Sequence, residues 1–350
     1  MNLFNKLWRS NFSIKLRSWE YWPFNVVYLP IYFYWFWLSI KARSFLFFSS
    51  SNPGIENAGM LGESKIKILD NIKPELKPLT IFCKYGESYE DVELKLKESE
   101  LEFPIIAKPD IGERGWNVEK INNEKELRAY ISEIPVDYLI QEYLDLPIEM
   151  GIFYYRYPKD HQGQVSSITI KEMLSVEGDG KSTLKELILN YDRAKLQWHV
   201  LKEIYADSLG QILKKGEKKE LVTIGNHSRG TKFLNGNHLI NDNLHKTFDE
   251  ISKGIPGFFF GRYDLRVASN EGLTKGQIKI MELNGAGSEP SHIYHPGFSF
   301  FEAQKVLFHH WRALYKISKQ NKELGIPYAT LKQGIAEYKK IKALDKLKRS

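Results

Sequence analysis

The sequence predicts an α+β fold. Short apolar runs bounded by turn residues give strand signals, and these come in hairpin-like pairs, not in regular βαβ alternation. Charged amphipathic stretches between them read as helices. At 350 residues and 40.8 kDa there is room for two domains, or for one large domain with attachments. With 42% hydrophobic and 27% charged residues, neither a disordered chain nor a multi-span membrane protein fits. The single cysteine, Cys83, excludes an internal disulfide and a cysteine-based zinc site.

The chain opens on an aromatic segment. Tyr21–Ile40 runs for twenty residues without a charge, and the first 48 residues hold 17 of the 47 aromatics. As one helix, twenty residues would span about 30 Å, the thickness of a hydrocarbon core. A signal peptide does not fit, because the apolar stretch starts late and no small-residue cleavage site follows. Pro23 and Pro30 interrupt the run, and Trp and Tyr sit throughout it, which is the composition of an interface. Both flanks are basic, with Lys6, Arg9, Lys15 and Arg17 before and Lys41 and Arg43 after. A single span would put one positive flank on the wrong side. The favoured reading is a re-entrant or interfacial anchor with both ends cytoplasmic; a single span and a buried aromatic hairpin are the alternatives.

Of the net charge of +7, the first 43 residues carry +5 and the last twenty another +5, leaving −3 between them. Basic ends around a mildly acidic body predict an anionic membrane surface as partner, and no nucleic acid. Solvated charge on terminal helices explains the C-terminal tail equally well.

Residues 49–64, rich in Ser, Asn, Gly and Pro, read as a linker loop. In the body, Glu63–Ile72 predicts a short helix, Thr80–Cys83 and Pro104–Ala107 strands, and Tyr89–Ser99 a helix between them. Helix Lys125–Ile131 and strand Tyr138–Tyr143 follow, then strands Ile152–Arg156 and Val165–Lys171. Thr183–Asn190, Asp192–Leu213 and Leu244–Lys253 predict helices, and Gly261–Val267 and Gln277–Asn284 strands. Ser299–Ser318 and Pro327–Lys348 complete the chain as helices.

Three segments carry chemistry. In Phe103–Val118, a strand delivers Lys108 to a glycine-bracketed turn, Gly112-Glu113-Arg114-Gly115. Glycines let the backbone approach an anion and the lysine adds a point charge, although a solvated lysine before a hairpin turn would look the same. In Tyr138–Arg156, Glu142 closes one strand and Glu149 opens the next, so a hinge offers carboxylates to ribose hydroxyls; singly, each reads as a charged strand end. In Gly261–Pro296, Asp264 lies in one strand and Glu282 and Asn284 on one face of the next. Three hard oxygen donors suit Mg²⁺ held beside nucleotide phosphates. Gly180-Lys181-Ser182-Thr183 resembles a P-loop end, but Ser175 stands where its first glycine belongs. His292 and His295 read as substrate-pocket or structural histidines.

Taken in this order, the segments resemble the ATP-grasp superfamily, and within it the D-alanine–D-alanine ligase-like and cyanophycin-synthetase-like carboxylate ligases, over residues 60–300. The resemblance implies two α+β lobes clamping ATP: an N-terminal lobe at 65–145, a C-terminal lobe with the Mg-ATP site at 146–310, and basic helices at 311–350 behind the aromatic segment 1–48. It implies Lys65 and Lys108 as nucleotide lysines, and Gly112, Glu113, Arg114 and Gly115 as the loop over the γ-phosphate. Glu142 and Glu149 match the adenine-side and ribose-side acids, Tyr143 and Leu144 the hinge backbone, and Lys171 a further adenine or phosphate contact. Arg262 resembles the arginine that steadies the transferred phosphoryl, and Asp264, Glu282 and Asn284 the Mg²⁺ ligands. The implied activity is an ADP-forming carboxylate–amine or carboxylate–thiol ligase working through an acyl phosphate, and the aromatic, basic-flanked segment predicts that it acts at the cytoplasmic face of the membrane. A nucleotide-binding adaptor and a kinase that stops at the phosphorylated product are the alternatives. The substrate-side domain usual in these ligases has no counterpart before Lys65, so the family's substrates do not carry over.

Overall fold

The computed structural model describes Trp8 and residues 10–112, 115–222 and 225–347. The aromatic run is not one helix. After α1 (Asn11–Arg17) it forms α2 (Phe24–Val27) and α3 (Leu29–Ala42), with Pro23 at the N-cap of α2 and Pro30 in the first turn of α3. Proline is tolerated there because first-turn N–H groups have no intrahelical acceptor. Fourteen residues make α3 about 21 Å long, short of a hydrocarbon core. Among the described residues no helix is long and apolar enough to cross a membrane.

Four short elements then build a sheet. Behind α4 (Lys65–Leu69), strands β1 (Thr80–Cys83), β2 (Ile105–Pro109), β3 (Glu119–Ile121) and β4 (Tyr138–Glu142) pair antiparallel in the order β1-β4-β2-β3. Helices α5 (Tyr89–Glu98) and α6 (Glu124–Glu133) cover one face, with Val92, Leu96 and Leu127 packed on Ile105, Ala107 and Ile140. Period-2 alternation turns Lys108, Leu139 and Gln141 to the opposite face. There Leu139 joins the core of a second sheet.

That sheet holds β5 (Ile148–Tyr155), β6 (Gln164–Glu172), β9 (Lys232–Asn235), β10 (Phe260–Val267) and β11 (Ile278–Asn284), all antiparallel, in the order β11-β10-β5-β6-β9. Met150, Ile152, Ile168, Tyr263, Leu265 and Ile280 face a core closed by Leu244 and Phe248 of a helix at Asp242–Lys253. The other face carries Glu149, Lys171, Arg262, Asp264 and Arg266. The insertion between β6 and β9 forms a satellite core under the β7 (Ser175–Glu177) and β8 (Lys218–Glu220) pair. Its Thr183 and Glu186 close a capping box on the helix Leu184–Asn190, which accounts for the P-loop-like string as a helix start. The expected long helix Asp192–Leu213 is instead two short ones, Asp192–Leu196 and Trp198–Ile204, ending before the helix-poor Ser208 and Gly210.

A 24-residue helix, Phe300–Glu323, seats the aromatic segment. Ile31, Val27 and Tyr28 pack on Ala303, Leu307 and Ile293, while Leu38 and Ala42 reach Phe47 and Trp311. Leu29, Tyr32, Phe33, Phe36, Trp37 and Ile40, at helical spacing, point outward. The helix Leu331–Leu347 ends the described chain.

Candidate active site

The two sheets meet at Lys108. At the end of β2 its Nζ donates to Gln141 Oε1 at 2.9 Å and to the Met281 carbonyl of β11 at 3.1 Å. The group is buried, and burial pushes the ammonium down to about 8. Lys65, first residue of α4, donates to the Gly112 carbonyl at 2.7 Å and lies 3.8 Å from Glu282. Asp110 accepts the Ile66 N–H at 2.9 Å, fixing that helix end against the glycine turn. Gly115 adopts φ +72°, and its carbonyl accepts from Arg229 at 3.0 Å. Glu113 and Arg114 lie outside the described residues.

On the open face of the large sheet, Arg262 and Asp264 stand two residues apart on β10 and pair twice, each bond 3.0 Å. Asn284 donates to Asp264 Oδ2 at 3.2 Å, and Glu282 is the β11 residue directly opposite Asp264. Lys171 lies 3.0 Å from Glu149 and 3.6 Å from Asp264. Arg266 completes the row at 3.0 Å from Glu149, and its other nitrogen donates to the Leu144 carbonyl at 3.0 Å. The result is an alternating line, Arg266–Glu149–Lys171–Asp264–Arg262. Burial alone would raise the Asp264 carboxyl, but Arg262 and Lys171 outweigh it and hold it below the usual range. For Lys171 burial acts downward, and Asp264 and Glu149 overcome it. A Cβ on Gly151 would sit 3.2 Å from Arg262 Cδ and 3.3 Å from Asp264 Oδ1, so glycine there lets the arginine lie close on the sheet.

The structure thus brings Lys65, Lys108, Glu149, Lys171, Arg262, Asp264, Glu282 and Asn284 together where the two sheets meet. Glu142 is engaged at the edge, where its carboxylate accepts the Leu79 N–H at 3.1 Å. Tyr143 faces Lys120, whose ammonium lies 3.8 Å from the ring centroid. Sequence reasoning missed Arg266, although it shares the alternation that places Arg262 and Asp264 on one face. It also missed Gly225, whose added Cβ would meet Glu149 Oε1 at 2.3 Å, and for that contact no sequence signal exists. Beyond β11, Arg262 reaches Ser291 Oγ at 3.0 Å, and the neighbouring Glu289 carboxylate accepts hydroxyls from Tyr294 and from Tyr28 of the aromatic segment. His292 pairs with Ser167 at 2.6 Å, and burial pushes it down to about 4, so it is neutral. His295 accepts the Asn235 N–H at 3.2 Å. Both histidines have structural partners. Among the described residues no group of three His, Cys, Asp or Glu side chains is placed to hold a metal ion. The donor set where the sheets meet is two carboxylates and an amide, which fits Mg²⁺ completed by phosphate oxygens.

No family model matches the chain, and no curated protein does. Among solved structures it is similar to VanG D-Ala:D-Ser ligase from Enterococcus faecalis, at 16% identity and TM-score 0.42 over 78% of this chain and 64% of that one. It is also similar to D-alanine–D-alanine ligase from Bacillus anthracis, at 14% identity and TM-score 0.41 over 80% and 70%. A third likeness is to a bifunctional glutathione synthetase from Pasteurella multocida, at 15% identity and TM-score 0.37 over 70% of this chain. The chain spans 36% of that synthetase's length.

Proposed function

We propose that this chain is an ATP-dependent, ADP-forming ligase that joins a carboxylate to an amine or another nucleophile, acting at an anionic membrane face. One observation carries the reading: Lys108, beside the glycine turn, is tied across to the strand that bears Glu282 and Asn284. Nucleotide phosphates entering there meet Lys65, Lys108, Lys171 and Arg262 on one side and oxygen donors on the other. Asp264, Glu282 and Asn284 would hold Mg²⁺, which when bound neutralises phosphate charge and orients the oxygens. A carboxylate oxygen of the substrate attacks the γ-phosphorus, the bond to ADP breaks, and an acyl phosphate forms. The nucleophile then adds to the acyl carbon and inorganic phosphate leaves, with one proton released from an amine. Arg262, fixed by Asp264 and Ser291, holds its guanidinium where charge grows on the transferred group, and a preorganised cation there needs no reorganisation during the step. Glu149 and the Leu144 carbonyl are aligned by Arg266 to meet ribose and base.

The aromatic segment supports the membrane part. Its inner face is packed on the protein while its outer face presents Phe33, 72% exposed, among other aromatics. Lys15, Arg17, Lys41 and Arg43 flank that face, the composition of a helix lying in an interface. The test incubates full-length protein with ATP, Mg²⁺ and mixed carboxylates and amines, with hydroxylamine added to trap acyl phosphates. ADP with a hydroxamate is the expected result; AMP with pyrophosphate would overturn the reaction assigned.

A further inference from the structure

The aromatic segment is not the only place where apolar side chains stand in solvent beside lysines. The helix Leu331–Leu347 is held to the body by one edge. Gly334 lies against Leu46, so closely that an added Cβ would come 2.5 Å from Leu46 Cδ1. Ile341 packs at Gly62, and Glu337 accepts from Asn57 at 3.4 Å. About a quarter-turn round the helix from that edge, Leu331, Ile335 and Tyr338 form a stripe at i, i+4 and i+7. All three are exposed, Ile335 at 57% and Tyr338 at 63%. Lys339, Lys342 and Lys346, also exposed, fall at or beside the stripe by helical spacing. An apolar stripe set among lysines does not match a water-facing helix, whose outer face is polar. It matches the pattern of a basic amphipathic helix lying on lipid.

The stripe joins the surface already described. Leu46, which receives Gly334, is the chain neighbour of Phe45, and the Phe45 ring lies 5.9 Å from Trp35 and 6.2 Å from Phe36. Apolar surface therefore continues from Phe36 and Ile40 through Phe45 and Leu46 to the C-terminal helix. We infer that the two ends of the chain form one bipartite docking face for an anionic bilayer, with the C-terminal helix Leu331–Leu347 as its second lipid-binding element. This rests on the membrane reading of the aromatic segment and adds to it a fixed orientation, since two separated elements define a plane where one helix leaves rotation free. The positive charge of the sequence's two ends, which composition left unassigned at the C-terminus, then acts on one surface. Lysines near such a surface each strengthen binding about fivefold.

The experiment is co-sedimentation of the full-length protein with vesicles of phosphatidylcholine alone or mixed with phosphatidylglycerol. Three variants are compared with wild type: Leu331→Glu with Ile335→Glu and Tyr338→Glu; Lys339→Gln with Lys342→Gln and Lys346→Gln; and Phe33→Glu with Phe36→Glu. Wild type is expected to bind the mixed vesicles and to be released by salt. The lysine variant should bind them about a hundredfold more weakly. The stripe variant should lose at least tenfold, with an unchanged melting temperature because its side chains are exposed. If both C-terminal variants bind as wild type does while the Phe33/Phe36 variant does not, the C-terminal helix is no part of the face, and the aromatic segment stands alone. Wild type that binds neither vesicle overturns the membrane reading itself. Light scattering covers the other occupant: a dimer that Ile335→Glu dissociates would make the stripe an interface between copies and overturn the inference.

Discussion

Replacing Lys108 by methionine should abolish a rise in the ligand-free protein's stability above pH 8 while weakening nucleotide binding. The lysine is buried and its ammonium is pushed from the ordinary 10.5 down to about 8. That gap corresponds to about 3 kcal/mol favouring the neutral amine in the folded protein. At pH 7 both folded and unfolded chains carry the charge, so folding bears this cost in full. Between pH 8 and 10.5 the folded protein has lost the proton and the unfolded chain still holds it. The unfolded state then binds more protons, and stability rises with pH across that window. Methionine has similar length and no charge, so the cost and the pH slope both vanish. Against this, Gln141 Oε1 and the Met281 carbonyl lose their donor, at about 1–3 kcal/mol each. At pH 7 the two effects therefore nearly offset each other, and by pH 10 the wild type should have gained about 2–3 kcal/mol on the variant. ATP affinity should fall about tenfold to a hundredfold, the usual loss for a charge-assisted contact. Urea unfolding in chelator at a series of pH values reads the first effect, and nucleotide titration the second. A stability difference that stays constant from pH 7 to 10 would show that burial is not what depresses this lysine. Unchanged ATP affinity would remove Lys108 from the phosphate site.

Four further substitutions have defined outcomes. Glu282→Gln, at a partly exposed carboxylate 3.8 Å from Lys65, should abolish Mg²⁺-dependent ADP release at a normal melting temperature, whereas Asp264→Asn leaves Arg262 and Lys171 underpaired and should also cost about 3 kcal/mol of stability in thermal unfolding. Arg266→Leu frees the Leu144 carbonyl and leaves Glu149 with Lys171 alone; KM for ATP should rise about tenfold with a smaller change in kcat, read from steady-state ADP release. Tyr28→Phe removes a hydroxyl donated to Glu289 and should cost about 1–2 kcal/mol in melting, while the binding of vesicles stays as in wild type because the ring itself remains.

What the sequence made legible was chemistry on a period of two. Glu282 and Asn284, two apart, had to share a face, and a strand ending in Lys108 before paired glycines had to present it to whatever the turn enclosed. Both follow from the pleat, which needs only neighbours in sequence. Arg266 obeyed the same rule and was overlooked because an arginine at a strand end has an ordinary solvated reading; only its burial against Glu149 and the Leu144 carbonyl separates the two. The strand Lys232–Asn235 escaped for a different reason, since four residues between turns carry no usable alternation. The aromatic segment marks the boundary of what pattern can give. Ile31 and Leu38 point inward and Phe33 and Ile40 outward, yet all four are apolar, so no periodicity distinguishes the packed face from the open one. The decision lies in residues far along the chain. Ala303 and Leu307 receive the inner face, and Glu20 pairs with Arg193, 173 positions on. An uncharged run of twenty residues is therefore compatible with a span, a hairpin or a plate on a protein surface, and what selects the plate is a helix at Phe300–Glu323 that already buries one side of it.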